Sequence, residues 1–331
     1  MGGHGTQKAD QEGGVPPMRK THSFVVLMLG LVLALTSCGG DDDSSSQASS
    51  PTASAKGELT VGGANFTEML IMQQMYKLLL EKAGFTVKVQ SVDNRELYAP
   101  ALRSGDIDVV PEYLATMTEY LNHAKNGPDA PTIATSDAAE TVNLAKPLAQ
   151  DYGLVVLNPA QAIDANAFAV TKKFADENSL KTLSDLAALH KPIVLAATEE
   201  CPKRPFCQPG LEQTYGLNIT KVEPLGFGST QTKQAVKEGT AQLGLVGTTD
   251  GTLDQFGLVV LEDDKHLQLA DNLVPFVNAK SAEDPAIANA LNQLSTVLTT
   301  DDLAQLNLQV DGERMEPADV AQAYLKGKGL I

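Results

Sequence analysis

The sequence predicts an α/β protein built as two similar lobes. Strand-type and helix-type segments alternate along residues 58–110, and the same alternation returns after residue 190. A short pattern also recurs at the same place in both stretches. Arg103-Ser104-Gly105-Asp106-Ile107-Asp108 and Lys237-Glu238-Gly239-Thr240-Ala241-Gln242 each close a helix with glycine and lead into an apolar run. A chain of 331 residues, 43% apolar and 20% charged, has enough material for two cores and is too apolar for wholesale disorder.

In chain order, Glu58 to Gly63 alternates as a strand and ends in a glycine turn. Asn65-Phe66-Thr67-Glu68 opens a helix through Glu81, with Met69, Met72, Met75, Tyr76 and Leu79 at helical spacing. Gly84 ends it and Phe85 to Val89 is a second strand. Arg95 to Ser104 is a helix closed by Gly105, and Ile107 to Val110 a buried strand stopped by Pro111. Tyr152 to Leu157 and Ala167 to Val170 are further strands. In the second stretch, Pro192 to Ala196, Lys221 to Leu225 and Leu243 to Val246 are strands, with helices around Gly210 to Tyr215 and over Thr230 to Glu238. Strands joined through helices predict parallel sheets.

Leu258 to Leu261 and Leu273 to Val277 are strands, followed by helices over Pro285 to Leu298, Thr300 to Leu306 and Pro317 to Leu325. The terminal helices have no strands of their own to cover. The chain is therefore expected to cross to the second lobe near Ile163 to Asn166, return near Leu269 to Asn272, and lay its end on the first lobe. That gives one lobe from 58–163 with 271–331 and another from 164–270. A binding site is expected in the cleft outside the strand ends.

Ahead of the first strand stands an export signal. Arg19-Lys20 precedes the apolar run Phe24 to Leu35, which is too short to span a ~30 Å hydrocarbon core. Leu35-Thr36-Ser37-Cys38 then resembles the bacterial lipobox, in which the Cys receives a diacylglycerol and becomes the first residue. Residues 1–37 are thus expected to be removed, with Met18 a conventional start for such a signal, and 38–57 to be a disordered polar tether. Lipid on Cys38 would hold the protein outside the cell membrane.

Twenty-five basic against 41 acidic residues leave a net charge of −16, and loss of 1–37 makes it −17. Such a chain repels phosphate backbones, and no local basic patch offsets this, so nucleic acid is not an expected partner. Cys201 and Cys207 are separated by Pro-Lys-Arg-Pro-Phe. In an exported chain a local disulfide is the expectation, with two free buried thiols the alternative. The five His are dispersed and none stands beside the pair, so no metal or cofactor site is expected.

Gly62-Gly63-Ala64-Asn65-Phe66-Thr67-Glu68 and Ala101-Leu102-Arg103-Ser104-Gly105-Asp106-Ile107-Asp108-Val109-Val110-Pro111-Glu112-Tyr113 carry a family resemblance. Pro209 to Leu217, Thr248 to Gly251, Leu258 to Asp264 and Asn272 to Pro275 extend it over nearly all of 58–331. In this set the chain resembles the glycine betaine, choline and carnitine receptors of quaternary-amine ABC importers (the OpuAC/ProX-like receptors). The resemblance implies a type II periplasmic-binding-protein fold, two α/β lobes joined by a two-strand hinge. It implies a monomer that hands a small solute to a membrane permease.

A quaternary ammonium has no N–H to donate, so aromatic faces must hold it, while a ligand carboxylate needs a basic clamp. By resemblance Tyr113 is a cage residue, Thr116 a ligand-contacting hydroxyl, and Arg204 the carboxylate clamp. Asn65, Phe66 and Thr67 open the first helix toward the cleft, and Thr248, Thr249 and Asp250 follow the last strand of lobe two. Asn166 and Phe168 fall in the segment that carries a cage tyrosine in relatives, with Asn166 at the tyrosine position. Ala64 replaces a frequent Lys and Gly247 a frequent aromatic residue. A less cationic ligand in the same fold, or an envelope sensor or adhesion lipoprotein without a transport role, are the competing readings. The chain has no Gly-x-Ser-x-Gly and no His-Glu-x-x-His, so an enzyme is not expected.

Overall fold

Two five-stranded sheets, each flanked by helices, make up the computed structural model, which describes residues 56–269 and 271–331. The expected signal, the Met18 start, Cys38 and the tether up to residue 55 lie outside the described residues. The end of the expected tether is already attached: Lys56 N–H donates to Gly84 O at 2.9 Å, and Gly57 O accepts from Thr86 N–H at 2.9 Å.

The first sheet holds β1 (Glu58–Ala64), β2 (Thr86–Val92), β3 (Val109–Tyr113) and β4 (Leu154–Val156), together with β10 (Leu273–Asn278). The second holds β5 (Asn166–Thr171), β6 (Pro192–Ala197), β7 (Asn218–Pro224), β8 (Leu243–Gly247) and β9 (Leu258–Leu261). Their orders, β2-β1-β3-β10-β4 and β7-β6-β8-β5-β9, are the same pattern used twice. Both sheets are mixed, which corrects the expectation of purely parallel sheets. β1, β2 and β3 run parallel, as do β6, β7 and β8, but β10 and β5 are antiparallel to both their neighbours. The cause is entry route: a strand reached through a helical crossover is parallel, whereas β5 and β10 enter their sheets from the connection between lobes.

That connection is a pair of antiparallel segments. Ile163 bridges Asn272, Asp164 N–H donates to Asp271 O at 3.1 Å, and Leu273 N–H to Ala162 O at 3.0 Å. The strand expected to stop at Pro111 instead runs through it to Tyr113. Pro111 faces Pro275 in the β3–β10 register. Two prolines cannot exchange N–H···O bonds, so this is a non-hydrogen-bonded pair, which requires a donor from neither.

Helices α1 (Thr67–Lys82), α2 (Arg95–Ser104), α3 (Leu114–Asn126) and α4 (Ala138–Tyr152) cover the first sheet, and α5 (Lys172–Asn178), α6 (Leu183–Ala188), α7 (Gln208–Gly210), α8 (Thr230–Glu238) and α9 (Leu253–Phe256) serve the second. The terminal α10 (Pro285–Ser295), α11 (Thr300–Asn307) and α12 (Pro317–Gly327) return to the first lobe. There Val320, Ala321 and Leu325 share a core with Met69, Met72 and Met75 of α1. Asn94 caps α2 by accepting from Leu97 N–H at 3.2 Å, and Gly105 closes it at φ 90°, in the left-handed region that glycine adopts without strain. Cys201 and Cys207 are joined in a disulfide that staples the loop between β6 and α7.

Candidate ligand-binding site

A cleft of about 740 Å³ opens between the lobes, bounded by the C-terminal ends of β1 and β3, the start of α2 and the loops after β6 and β7. Seven of the residues expected from sequence line it: Asn65, Phe66, Thr67, Tyr113, Thr116, Asn166 and Arg204. Asn65, Phe66, Thr67, Tyr113 and Thr116 lie where β1 and β3 end and α1 and α3 begin, Asn166 opens β5, and Arg204 is carried by the loop after β6.

One wall is aromatic. The Phe66 ring stacks on Tyr113 with centroids 6.3 Å apart and an 18° interplanar angle, and lies 5.0 Å from Phe227 of the other lobe. Phe227, half-buried in Gly226-Phe227-Gly228 ahead of α8, was not anticipated. A lone aromatic residue in a glycine-flanked loop carries no periodic signal, and only the fold sets it against Phe66. Tyr113 is fixed from behind, its hydroxyl donating to Glu68 Oε1 at 2.6 Å.

Beneath the wall lies a buried polar lattice. Glu112 accepts from Arg95 Nε at 2.8 Å and Nη2 at 2.7 Å, from Tyr98 Oη at 2.6 Å and from Tyr113 N–H at 3.0 Å. Arg95 also donates to Thr116 Oγ1 at 2.8 Å, so that hydroxyl is partly spoken for. Asp271, on the returning hinge segment, accepts from Thr116 N–H at 2.9 Å and so caps α3 from a distant part of the chain.

Burial pushes the Asp271 carboxyl up to about 7, against the opposing pull of that backbone bond and of Arg95. A carboxyl raised on folding favours the folded state while protonated. Its contribution is complete below the ordinary Asp range and is lost as pH climbs from about 4 through 7. Between pH 5 and pH 8 the wild-type melting temperature is therefore expected to fall relative to that of Asp271→Asn. Parallel melting curves across that interval would refute this assignment.

The remaining expected residues lie elsewhere. Phe168, 1% exposed, is on the same face of β5 as Asn166 but two residues deeper, inside the second-lobe core with Leu195, Leu211 and Leu245. Thr248 donates its hydroxyl to Asp164 Oδ1 at 3.0 Å. Thr249 donates to Glu68 Oε2 at 2.8 Å, a bond between lobes joined by Asn307 Nδ2 at 2.8 Å. Asp250 pairs with buried Lys233 at 2.9 Å. Thr249 and Asp250 line a separate small cavity of about 40 Å³ behind the wall, not the main cleft. Burial raises Glu68, and it raises Asp164 well above the ordinary carboxylate range with the nearby Glu68 charge adding to the shift.

Arg204 is already engaged. Its Nη2 reaches Glu96 Oε2 of the opposite lobe at 2.9 Å and Glu200 Oε1 at 3.1 Å, so it bridges the cleft mouth. Asn166 donates to Gln268 Oε1 at 3.2 Å and fills the place expected of a tyrosine with an amide. Among the described residues no group of His, Cys, Asp and Glu has the arrangement of a metal site.

Residues 57–327 match the model of the OpuAC family, the substrate-binding domain of ABC-type glycine betaine transport systems. The chain belongs to this family. Among its OpuAC-family relatives, a glycine-betaine-binding protein of Pseudomonas aeruginosa is 29% identical over 82% of this chain and 88% of its own. The glycine betaine-binding protein YehZ of Escherichia coli is 27% identical over 83% of this chain and 92% of its own. A solved glycine betaine/carnitine/choline ABC transporter protein covers 82% of this chain and 99% of its own, at a TM-score of 0.61 and 23% identity, a likeness of fold. The type II two-lobed architecture expected from the sequence is thus the architecture of the OpuAC family.

Proposed function

We propose that the protein is a solute receptor that captures a small quaternary-amine osmolyte, of the glycine betaine, choline or carnitine type, between its lobes and delivers it to an ABC permease. The lobes are taken as 58–163 with 271–331, and 164–270. They rotate about the paired segments at Ile163 and Asn272, and ligand selects the closed form. The observation that carries this reading is the wall of Phe66, Tyr113 and Phe227, drawn from both lobes and closing on the cleft. Each aromatic face contributes roughly 0.5–2 kcal/mol to a desolvated cation and needs no N–H from it. No catalytic step is assigned to the site. The protein acts as a monomer outside the cell, held by lipid on Cys38. Among the described residues no helix is long and apolar enough to cross a membrane.

Purified mature chain should melt at a higher temperature in millimolar choline, glycine betaine or carnitine, because a ligand that binds only the folded state stabilises it. An unchanged melting temperature with all three would overturn the reading.

A further inference from the structure

We infer that Asp164 is the counter-charge that selects the ligand, and that the cleft prefers a cation carrying no carboxylate over a zwitterion. This rests on the receptor function proposed above and sharpens it to a ligand class.

Asp164 lies on the outgoing hinge segment, 4% exposed, and lines both the cleft and the small cavity behind Phe66 and Phe227. Its Oδ1 accepts from Thr248 Oγ1 at 3.0 Å and Thr249 N–H at 3.2 Å, which fixes the carboxylate plane. Among the described residues both of these bonds fall on Oδ1 and the Thr249 hydroxyl is the one other donor beside the carboxyl, itself bonded to Glu68, so Oδ2 is the oxygen turned to a ligand. The space it occupies exists because residue 247 is glycine. A Cβ there would stand 2.8 Å from Oδ1 and 2.9 Å from Oδ2.

The two arginines of the cleft are committed elsewhere. Arg95 is held by Glu112, and Arg204 by Glu96 and Glu200. Lys203, exposed at the rim, is the remaining Lys or Arg among the described lining residues. A ligand carboxylate would have to displace Glu96 from Arg204 and would share the cleft with Asp164. A trimethylammonium with a neutral tail meets neither obstacle. Because Asp164 sits on the hinge, next to the Asp164–Asp271 backbone bond, the charge stays in place while the aromatic walls close around it.

The test is calorimetric titration of choline, tetramethylammonium and glycine betaine into wild type and Asp164→Asn. The amide keeps the Oδ1 acceptor and stands in for the protonated carboxyl that burial favours before a ligand arrives, so the fold should survive, while it withholds the negative charge that a bound cation would draw out. Wild type should bind choline more tightly than glycine betaine, and the variant should lose ten-fold or more for choline and tetramethylammonium while losing less for betaine. Gly247→Ala, which displaces the carboxylate without removing it, should weaken choline binding in the same direction. The inference is overturned by tighter betaine than choline binding in wild type, by equal losses for both ligands in Asp164→Asn, or by unchanged choline affinity in both variants. Binding of none of the three probes to wild type removes the receptor reading itself, and this inference with it.

Discussion

Arg95→Ala is expected to destabilise the protein by about 3–5 kcal/mol, the range for removing one partner of a buried ion pair. The pair is bidentate, with side chains 7% and 0% exposed. Its loss leaves Glu112 with the Tyr98 hydroxyl and the Tyr113 N–H as donors and no positive charge against it. Urea unfolding monitored by circular dichroism reads the effect. Arg95→Met combined with Glu112→Gln should recover part of the loss, because no charge is then stranded. A loss below about 1 kcal/mol for the single variant would mean that water reaches Glu112. The consequence extends to binding, since this pair ties the first turn of α2 to β3 one residue before Tyr113.

Tyr113→Ala is expected to weaken choline binding by ten-fold or more, about 1.4 kcal/mol. The ring supplies a face of the cleft wall and the surface on which Phe66 stacks. Tyr113→Phe separates the two parts of the side chain. It keeps the ring and should bind choline within a few-fold of wild type. It also removes the hydroxyl that Glu68 accepts, a buried contact whose loss typically destabilises by about 1–3 kcal/mol. If Tyr113→Phe lost affinity as fully as Tyr113→Ala, the hydroxyl rather than the aromatic face would be the binding element. Unchanged affinity in Tyr113→Ala, with the fold intact, would take Tyr113 out of the site.

The elements that the sequence conveys well are those whose pattern is local. α8 occupies Thr230–Glu238 and α2 Arg95–Ser104, the same bounds that capping residues and glycine stops predict. The twofold recurrence of strand and helix was legible for the same reason. Tyr113, Thr116, Asn166 and Arg204 were legible through the family resemblance, and Asn65, Phe66 and Thr67 because a helix start at a strand end faces the cleft whatever its side chain. Phe168 shows where this stops. It shares a face with Asn166, yet one strand repeat carries it from the cleft into the core, and alternation alone does not say where along a strand the cleft begins.

Hydrophobic periodicity and turn chemistry, both short-range, settled which segments are strands and helices and that they build two alike lobes. Tertiary structure alone decided sheet direction at β5 and β10, the meeting of Phe66 with Phe227, and the engagement of Arg204 by Glu96 from across the cleft. It also decided which carboxylates are buried. Asp164 and Asp271 stand over a hundred positions apart and become neighbours only where the two hinge segments pair. A charge is cheap in water and costly when desolvated, and desolvation is a property of everything packed around a residue rather than of its place in the chain.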